Sequence, residues 1–392
     1  MKKLLLFLGV IIAIVIICIV VMIYLKTRPL AKDQAISLIQ ESLEKKVDKN
    51  ETIPNGLLRI ESSQLEFSHN FTSGLSHGVP IEDDQSFHTA SIGKIFTATL
   101  VNMLEERNVL NINDPITKYL DDKVIEDIFV YKGIDYKYKV TIKQLLNHTS
   151  GVADYFEDPV TSGPNMRELM IEKPDKLWTP LDLVKFTKNN QKAVSSPGQK
   201  MHYSDTGYIL LGLIVESATG KSFHENLHEM IFDPIGMNDS YLMFYSTPKN
   251  PEKKLNELYF EGKKIHTYKS LSADWSGGGV VSTLSDLCKF SRALNKYKLV
   301  SKETLDNMYT FNQKYMNGMY YGLGVIEYHF EEYFPMLKYL PNVTGHMGVF
   351  GTQMFYDKTS DTVIILSLGS TDGTSKSVRL LIDVLSILAR IK

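Results

Sequence analysis

The sequence predicts an α/β fold in which one antiparallel sheet is built from both ends of the chain. Helices flank it, and a mainly helical region is inserted between the two sets of strands. Three observations carry this. Residues 56–67 and 70–77 read as strands around a turn at Ser68-His69, and residues 351–356 and 362–368 read as a hairpin turning at Asp357-Lys358. Between them, residues 91–298 are dominated by helical and loop sequence. With 392 residues, 43% of them apolar and 22% charged, the chain can build one large domain or two intertwined ones.

Taken in order, residues 1–3 are a short basic flank and residues 4–25 are almost purely apolar. That run of about 22 residues matches the roughly 20 needed to span a bilayer as a helix. It is longer than the core of a usual signal peptide and lacks a clear small-residue cleavage site, so it reads as an uncleaved single-pass anchor. If it were cleaved, the protein would be secreted. Lys2 and Lys3 precede it and Lys26 and Arg28 follow, so flanking charge does not set its orientation. Residues 26–35 form a linker, and residues 36–392 the folded domain. Residues 35–47 carry Ile36, Leu38, Ile39 and Leu43 at amphipathic spacing, and residues 375–391 close the chain as a second amphipathic helix. No repeat or low-complexity tract interrupts this plan.

The net charge of −2 gives no support to nucleic acid as a partner. The two cysteines, Cys18 in the apolar run and Cys288 in a predicted helix, are not placed to pair. The fold must therefore rest on its core.

The chemistry begins at Ser91-Ile92-Gly93-Lys94. A serine and a lysine three positions apart share one helical face, the geometry for a hydroxyl nucleophile beside a partly desolvated amine. Ser42/Lys45 and Ser246/Lys249 have the same spacing, the first in a charged amphipathic segment and the second in a polar loop before Pro248. Only Ser91 stands at a polar turn before an apolar helical run, residues 95–104. Two further segments supply partners. Tyr203-Ser204-Asp205 follows a Pro197-Gly198 turn and precedes a helical run, residues 209–215. His346-Met347-Gly348-Val349 is glycine-dense and leads into the final hairpin, where glycine lets another backbone approach closely.

These segments resemble the serine β-lactamase and penicillin-binding protein superfamily in its class C-like branch, which carries S-x-x-K, then Y-x-N or S-x-N, then K-T-G or H-x-G. The likeness runs from about residue 56 to 385 and includes residues 110–119, 141–151, 232–237 and 277–283. It implies a β-lactamase/transpeptidase-like fold and a serine hydrolase that needs no metal or organic cofactor. Ser91 would be the acylated nucleophile, Lys94 would ease its deprotonation, and the Tyr203 phenol would shuttle the proton to the leaving group. The amides of Ser91 and Val349 would form the oxyanion hole, with His346 and Gly348 on the strand that docks the substrate.

Two positions depart from the pattern. Asp205 replaces an asparagine, and an ionised carboxylate only accepts hydrogen bonds and adds negative charge. His346 replaces the lysine of K-T-G and removes a permanent cation. Both changes disfavour a carboxylate-bearing substrate. They point to a neutral or amine-bearing one: an ester, a D-amino-terminal amide, or D-alanyl esters on a cell-wall polymer. The expected protein is a membrane-anchored, extracytoplasmic hydrolase of small-molecule or cell-wall-derived substrates. A D-alanyl-D-alanine carboxypeptidase, a β-lactamase and a penicillin-binding receptor with little turnover are the alternatives.

A rival of a different class is His224-Glu225-x-x-His228, which matches a zinc-peptidase motif. No third ligand follows, and its helix carries a core stripe of Phe223, Leu227, Met230 and Ile231. Gly74-x-Ser76-x-Gly78 matches a nucleophile elbow but is followed by Pro80 and acidic residues instead of a helix. His148 is expected to fix a turn through its side chain. Asp205 has a competing reading as a helix N-cap, and Thr283 with Asp286 reads as a capping pair. Trp275, beside three glycines, either lines the cleft or packs on the turn.

Overall fold

A computed structural model describes residues 28–47 and 52–391. The predicted anchor, residues 4–25, lies outside the described residues. Among them, no helix is long and apolar enough to cross a membrane. The elements that position the site are helix α1 (Lys32–Glu44), strands β1 (Asn55–Ser62), β2 (Phe67–Ser76) and β3 (Val79–Pro80), helices α2 (Gly93–Glu106), α3 (Asp205–Thr219) and α4 (Leu284–Asn295), strands β4 (Gln313–Met316), β5 (Met319–Tyr321), β6 (Ile326–Tyr328), β7 (Val343–Gly348), β8 (Thr352–Asp357) and β9 (Thr362–Ser367), and helix α5 (Thr374–Leu388).

The strands form one sheet in the order β4-β5-β6-β7-β8-β9-β1-β2-β3, and neighbouring strands in it pair antiparallel. Its two ends of the chain meet at β1 and β9, where Leu58 faces Leu366 and Ile60 faces Ile364. The expected union of N- and C-terminal strands is therefore present. Strand β9 is buried along its whole length because both faces are covered. With period-two alternation, Ile364 and Leu366 join the cluster of Ala35, Ile39, Leu380 and Val384 from α1 and α5. Val363 and Ile365 point the other way, into the larger core with Phe96, Leu287 and Phe290 of α2 and α4. Helices, sheet and helices make three layers.

Local differences from the sequence reading have clear causes. The first hairpin turns at residues 63–66, not at Ser68-His69, and Ser62 pairs with Phe67. Glu66 takes the left-handed conformation at φ 47° there. Ser68 and His69 are both exposed on β2, so their polarity reflects solvent on both faces of the strand there and not turn chemistry. The helical middle also holds a small sheet in which Val280–Ser282 pairs with Phe87–His88 and Tyr241–Leu242. These strands of two or three residues are too short for periodicity to show.

Arg292 fastens helix α4 to the ends of both hairpins. Its guanidinium donates to Glu61 Oε1 at 3.1 Å, the Glu61 carbonyl at 2.8 Å, Asp361 Oδ1 at 2.6 Å and the Asp361 carbonyl at 3.1 Å. A planar fork suits these divergent acceptors, and an ammonium does not. Arg292→Ala should lower the unfolding free energy by about 1–3 kcal/mol, because two carbonyls lose a donor while Glu61 keeps Arg59 and Asp361 keeps Lys296 and Tyr356. Arg292→Lys should recover less than half of this. Urea unfolding curves of the three proteins measure it.

Candidate active site

Ser91 sits in a single tight turn, Ala90–Ile92, that runs directly into α2. Ala90 immediately before it has φ 50°, an unusual conformation for a residue with a side chain. Its amide donates to His88 Nδ1 at 3.2 Å, which helps hold the turn. One helical turn further on, Lys94 is fully buried. Its Nζ reaches Ser91 Oγ at 3.2 Å, the Gly277 carbonyl at 2.8 Å, and Asp205 Oδ1 in a very short contact. An ammonium has three donors. Here each has an acceptor, and each acceptor belongs to a different segment of the chain.

The approach to Gly277 is close because Gly93 and Gly278 face each other. A Cβ on Gly93 would lie 2.8 Å from Gly278 Cα, so side chains at either place would push α2 off the turn. Thr97 Oγ1 adds a bond to the Ser276 carbonyl at 2.6 Å. Trp275 beside this turn is 2% exposed and packs against Phe223 and Tyr245, so it supports the turn and does not line a cleft.

Asp205 opens helix α3, where the helix dipole favours a carboxylate. The cap itself is Ser204, whose hydroxyl accepts from the Gly207 amide at 3.3 Å. This corrects the N-cap reading of Asp205 and leaves its carboxylate for Lys94. The Asp205 amide donates to Asp154 Oδ1 at 3.1 Å. Asp154 is buried, and burial followed by the charge of Asp205 raises its pKa well above the usual carboxylate range. Asp274 is raised to about 7 by burial and then by Asp205. It lies 3.5 Å from His88 Nε2. Lys94 thus pairs with one of three neighbouring carboxyl groups, and the charge of Asp205 favours the protonated form of the other two.

Tyr203 precedes α3 and lies beside Ser91. Burial, and next the Asp205 charge, raises its pKa well above the ordinary phenol value, so it is a neutral phenol. The His148 ring stacks on it with centroids 4.3 Å apart, and the Lys94 ammonium lies 4.9 Å from its ring centre. His148 Nδ1 accepts from the Ser204 amide at 3.0 Å, which is the turn-fixing role expected of it.

His346 and Gly348 stand on β7 as the sequence places them. His346 is 1% exposed; its Nδ1 donates to the Met347 carbonyl at 2.7 Å, so Nε2 is the acceptor for the Tyr321 hydroxyl at 3.0 Å. Burial and then the Lys94 charge lower its pKa to about 3. It is a neutral ring with both nitrogens occupied, 6.4 Å from the Tyr203 ring, so it shapes the wall behind Tyr203 and offers no charge to a ligand. Gly348 packs so tightly that a Cβ would lie 2.7 Å from Ala90 Cβ and 2.8 Å from the Thr89 carbonyl. That contact brings the end of β7, and the Val349 amide after it, against the turn that carries Ser91.

Four contributors are not among the expected site residues: Asp154, the Gly277 carbonyl, Tyr321 behind His346, and Tyr315 on β4, whose ring lies 5.4 Å from Tyr203. The competing motifs serve structure. Glu225 accepts from the Ser222 amide at 2.8 Å and the Ser222 hydroxyl at 2.6 Å in a capping box, while His228 contacts Ser246 Oγ at 3.2 Å. Lys45 pairs with Glu41 and Lys249 with Asp233, each at 2.7 Å. Thr283 caps α4 through the Asp286 amide at 3.2 Å.

The lowered pKa of His346 sets a pH dependence. Between its ordinary value of 6.5 and about 3, the unfolded chain binds a proton that the folded ring excludes. Its contribution to stability is complete above 6.5 and is lost as pH falls towards 3. The loss of stability on going from pH 7 to pH 5 should therefore be smaller in His346→Gln than in wild type, by about 2 kcal/mol. Urea unfolding at the two pH values checks this.

A family model described as Beta-lactamase matches residues 63–385. A penicillin-binding protein of Bacillus subtilis (strain 168) is 27% identical over 295 residues, covering 71% of this chain and 59% of that protein, so the match spans less than two thirds of its length. The teichoic acid D-alanine hydrolase of Staphylococcus aureus is 26% identical over 342 residues, covering 85% of this chain and 75% of that one. Among solved structures, the D-amino acid amidase from Ochrobactrum anthropi SV3 matches with a TM-score of 0.73 at 23% identity, over 90% of this chain and 98% of that one, a likeness of fold. The extent of the family match, together with an antiparallel sheet closed from both ends of the chain, shows that this chain belongs to the Beta-lactamase family.

Proposed function

We propose that this chain is a serine hydrolase that forms an acyl-enzyme on Ser91 from cell-wall-related D-amino acid esters or amides. It is anchored through residues 4–25 with its catalytic domain outside the cytoplasm. The observation that carries the reading is the buried Lys94 ammonium, bonded to Ser91 Oγ at 3.2 Å and locked by Asp205 and Gly277.

Charge and protonation suggest how the groups act. Ser91 Oγ attacks the acyl carbon as one concerted relay carries its proton to the Tyr203 oxygen and the Tyr203 proton to the leaving-group heteroatom, whose bond to the acyl carbon then breaks. Tyr203 ends as it began, a neutral phenol. The Lys94 donor stabilises negative charge on Oγ during the transfer. The Ser91 and Val349 amides take the tetrahedral oxyanion. Water then repeats the sequence in reverse on the ester at Ser91.

Substrate class follows from charge. Asp205 in place of asparagine and neutral His346 in place of lysine each leave the site one positive charge poorer. A substrate carboxylate would meet Asp205 with Lys94 already committed, whereas an α-ammonium would meet a complementary field. The names of the Staphylococcus aureus relative and the amidase of like fold, both directed at D-amino acid derivatives, support the same choice.

A fluorophosphonate probe should label wild type and not Ser91→Ala, and Tyr203→Phe should lower kcat by roughly 10²–10⁴. In a panel of matched donors, D-alanyl esters bearing a free amine should exceed carboxylate-bearing donors in kcat/KM. Asp205→Asn should move that ratio towards the anionic donors. Faster turnover of benzylpenicillin or nitrocefin than of the D-alanyl esters would overturn the assignment.

A further inference from the structure

The two most exposed large apolar side chains among the described residues lie in one short stretch together with a third, residues 334–339, in the connection between β6 and β7. Phe334 is 65% exposed, Met336 85% and Tyr339 58%. Lys338 beside them is exposed as well. Single exposed hydrophobes are ordinary, but three within six residues form a patch that calls for a partner.

The place of the patch in the fold says which partner. The Tyr339 hydroxyl donates to Ser386 Oγ at 3.0 Å, on the outer side of α5. One turn further, about 6 Å along the axis, the Arg390 guanidinium donates to the Arg28 carbonyl at 3.0 Å. The Leu30 amide donates to the Arg390 carbonyl at 2.8 Å. The patch therefore flanks the point where the chain leads back to residues 4–25. Only Lys26 and Thr27 separate Arg28 from Leu25. Three residue steps reach at most about 11 Å when fully extended. A chain anchored through residues 4–25 must hold Arg28, and the face around it, against the headgroups.

We propose that residues 334–339 are a membrane-docking surface that seats Phe334, Met336 and Tyr339 in the headgroup region of the bilayer. The inference rests on the reading of residues 4–25 as an anchor. An aromatic pair, a flexible thioether and an adjacent lysine are the side chains that the interface accepts, apolar body inward and cation towards anionic lipid.

The same segment is tied to the catalytic cleft. Glu332, two residues before Phe334, accepts from Lys314 Nζ at 2.9 Å and the Tyr320 hydroxyl at 2.6 Å, and its carbonyl accepts from Asn317 Nδ2 at 2.6 Å. Those residues belong to the β4-β5 hairpin, which also carries Tyr315 to within 5.4 Å of Tyr203. Docking would hold that side of the cleft at a fixed height over the membrane and favour acyl esters borne at the membrane surface over those free in solution.

The test uses the full chain in phosphatidylcholine–phosphatidylglycerol vesicles whose acyl chains are brominated near the headgroup. The native tryptophans, Trp178 and Trp275, are buried, at 4% and 2% exposure, so the lipid quencher does not reach them and the difference from the wild-type spectrum reports the added tryptophan. Met336→Trp should emit at shorter wavelength in vesicles and be quenched by the brominated lipid. Ile134→Trp, at a site 54% exposed on a separate hairpin, should show neither effect. A chain that floats with the vesicles while Met336→Trp stays unquenched overturns docking and leaves the anchor standing. A chain that does not float overturns the anchor and the docking with it. Unquenched emission that shifts only as protein concentration rises assigns the patch to a second copy and overturns the proposal.

A second readout is enzymatic. The triple variant Phe334→Ser, Met336→Ser, Tyr339→Ser should hydrolyse a soluble D-alanyl ester at the wild-type rate. On a D-alanyl ester of a vesicle-borne lipid its rate should fall roughly five- to tenfold, because the anchor keeps the chain on the vesicle but the cleft is no longer held at a fixed height over the surface, which lowers the effective concentration of ester at the cleft. Equal rates on the vesicle-borne ester would overturn it.

Discussion

The buried ammonium of Lys94 is the interaction on which the site depends. Removing a charge from water costs several kcal/mol unless acceptors replace the lost hydration. Three acceptors do so, from the turn at Ser91, the start of α3 at Asp205, and the glycine turn at Gly277. None of these segments is adjacent to another in sequence. Loss of any one leaves a buried donor unsatisfied, so the lysine holds the three in mutual register as well as serving Ser91.

The same arrangement fixes the electrostatics of the cleft. With an asparagine in place of Asp205, Lys94 would leave the pocket with a net positive charge. With Asp205 that charge is neutralised, and the nearby Asp154 and Asp274 carry pKa values raised by burial and by Asp205 itself. His346 adds nothing, because burial keeps its ring neutral. The cleft is consequently poor in positive potential although it contains a lysine and two histidines. Ser91 is contacted locally by Lys94, while Asp205 offsets the charge of that lysine. One scaffold can thus carry sites of different charge.

The sheet connects this site to the outer surface. Strand β7 brings Gly348 against Ala90, the β4-β5 hairpin places Tyr315 beside Tyr203, and the connection between β6 and β7 carries the exposed apolar residues. Site, wall and surface patch thus hang from neighbouring strands of a single sheet. A displacement at the patch would reach the cleft through Glu332 and its bonds to that hairpin.

Much of this was legible in the chain itself. Apolar alternation marked the terminal hairpins, helical spacing put Ser91 and Lys94 on one face, and three short motifs in order named Tyr203, Asp205 and His346. These are local properties, set by backbone periodicity and by the residue types that acyl transfer needs. The turn at residues 63–66 was misplaced because solvent-facing strand residues and turn residues are both polar. What only the tertiary structure decided is which groups meet. Ser204 takes the cap, so Asp205 is free for Lys94; Tyr321 and the Met347 carbonyl occupy both nitrogens of His346; Asp154 and Gly277 close the site from segments with no catalytic signature. Such contacts depend on distances between residues up to 183 positions apart, as for Lys94 and Gly277, and on desolvation that packing alone creates. The serine and lysine were determined by their own turn of helix, and the charge they work in was determined by the fold around it.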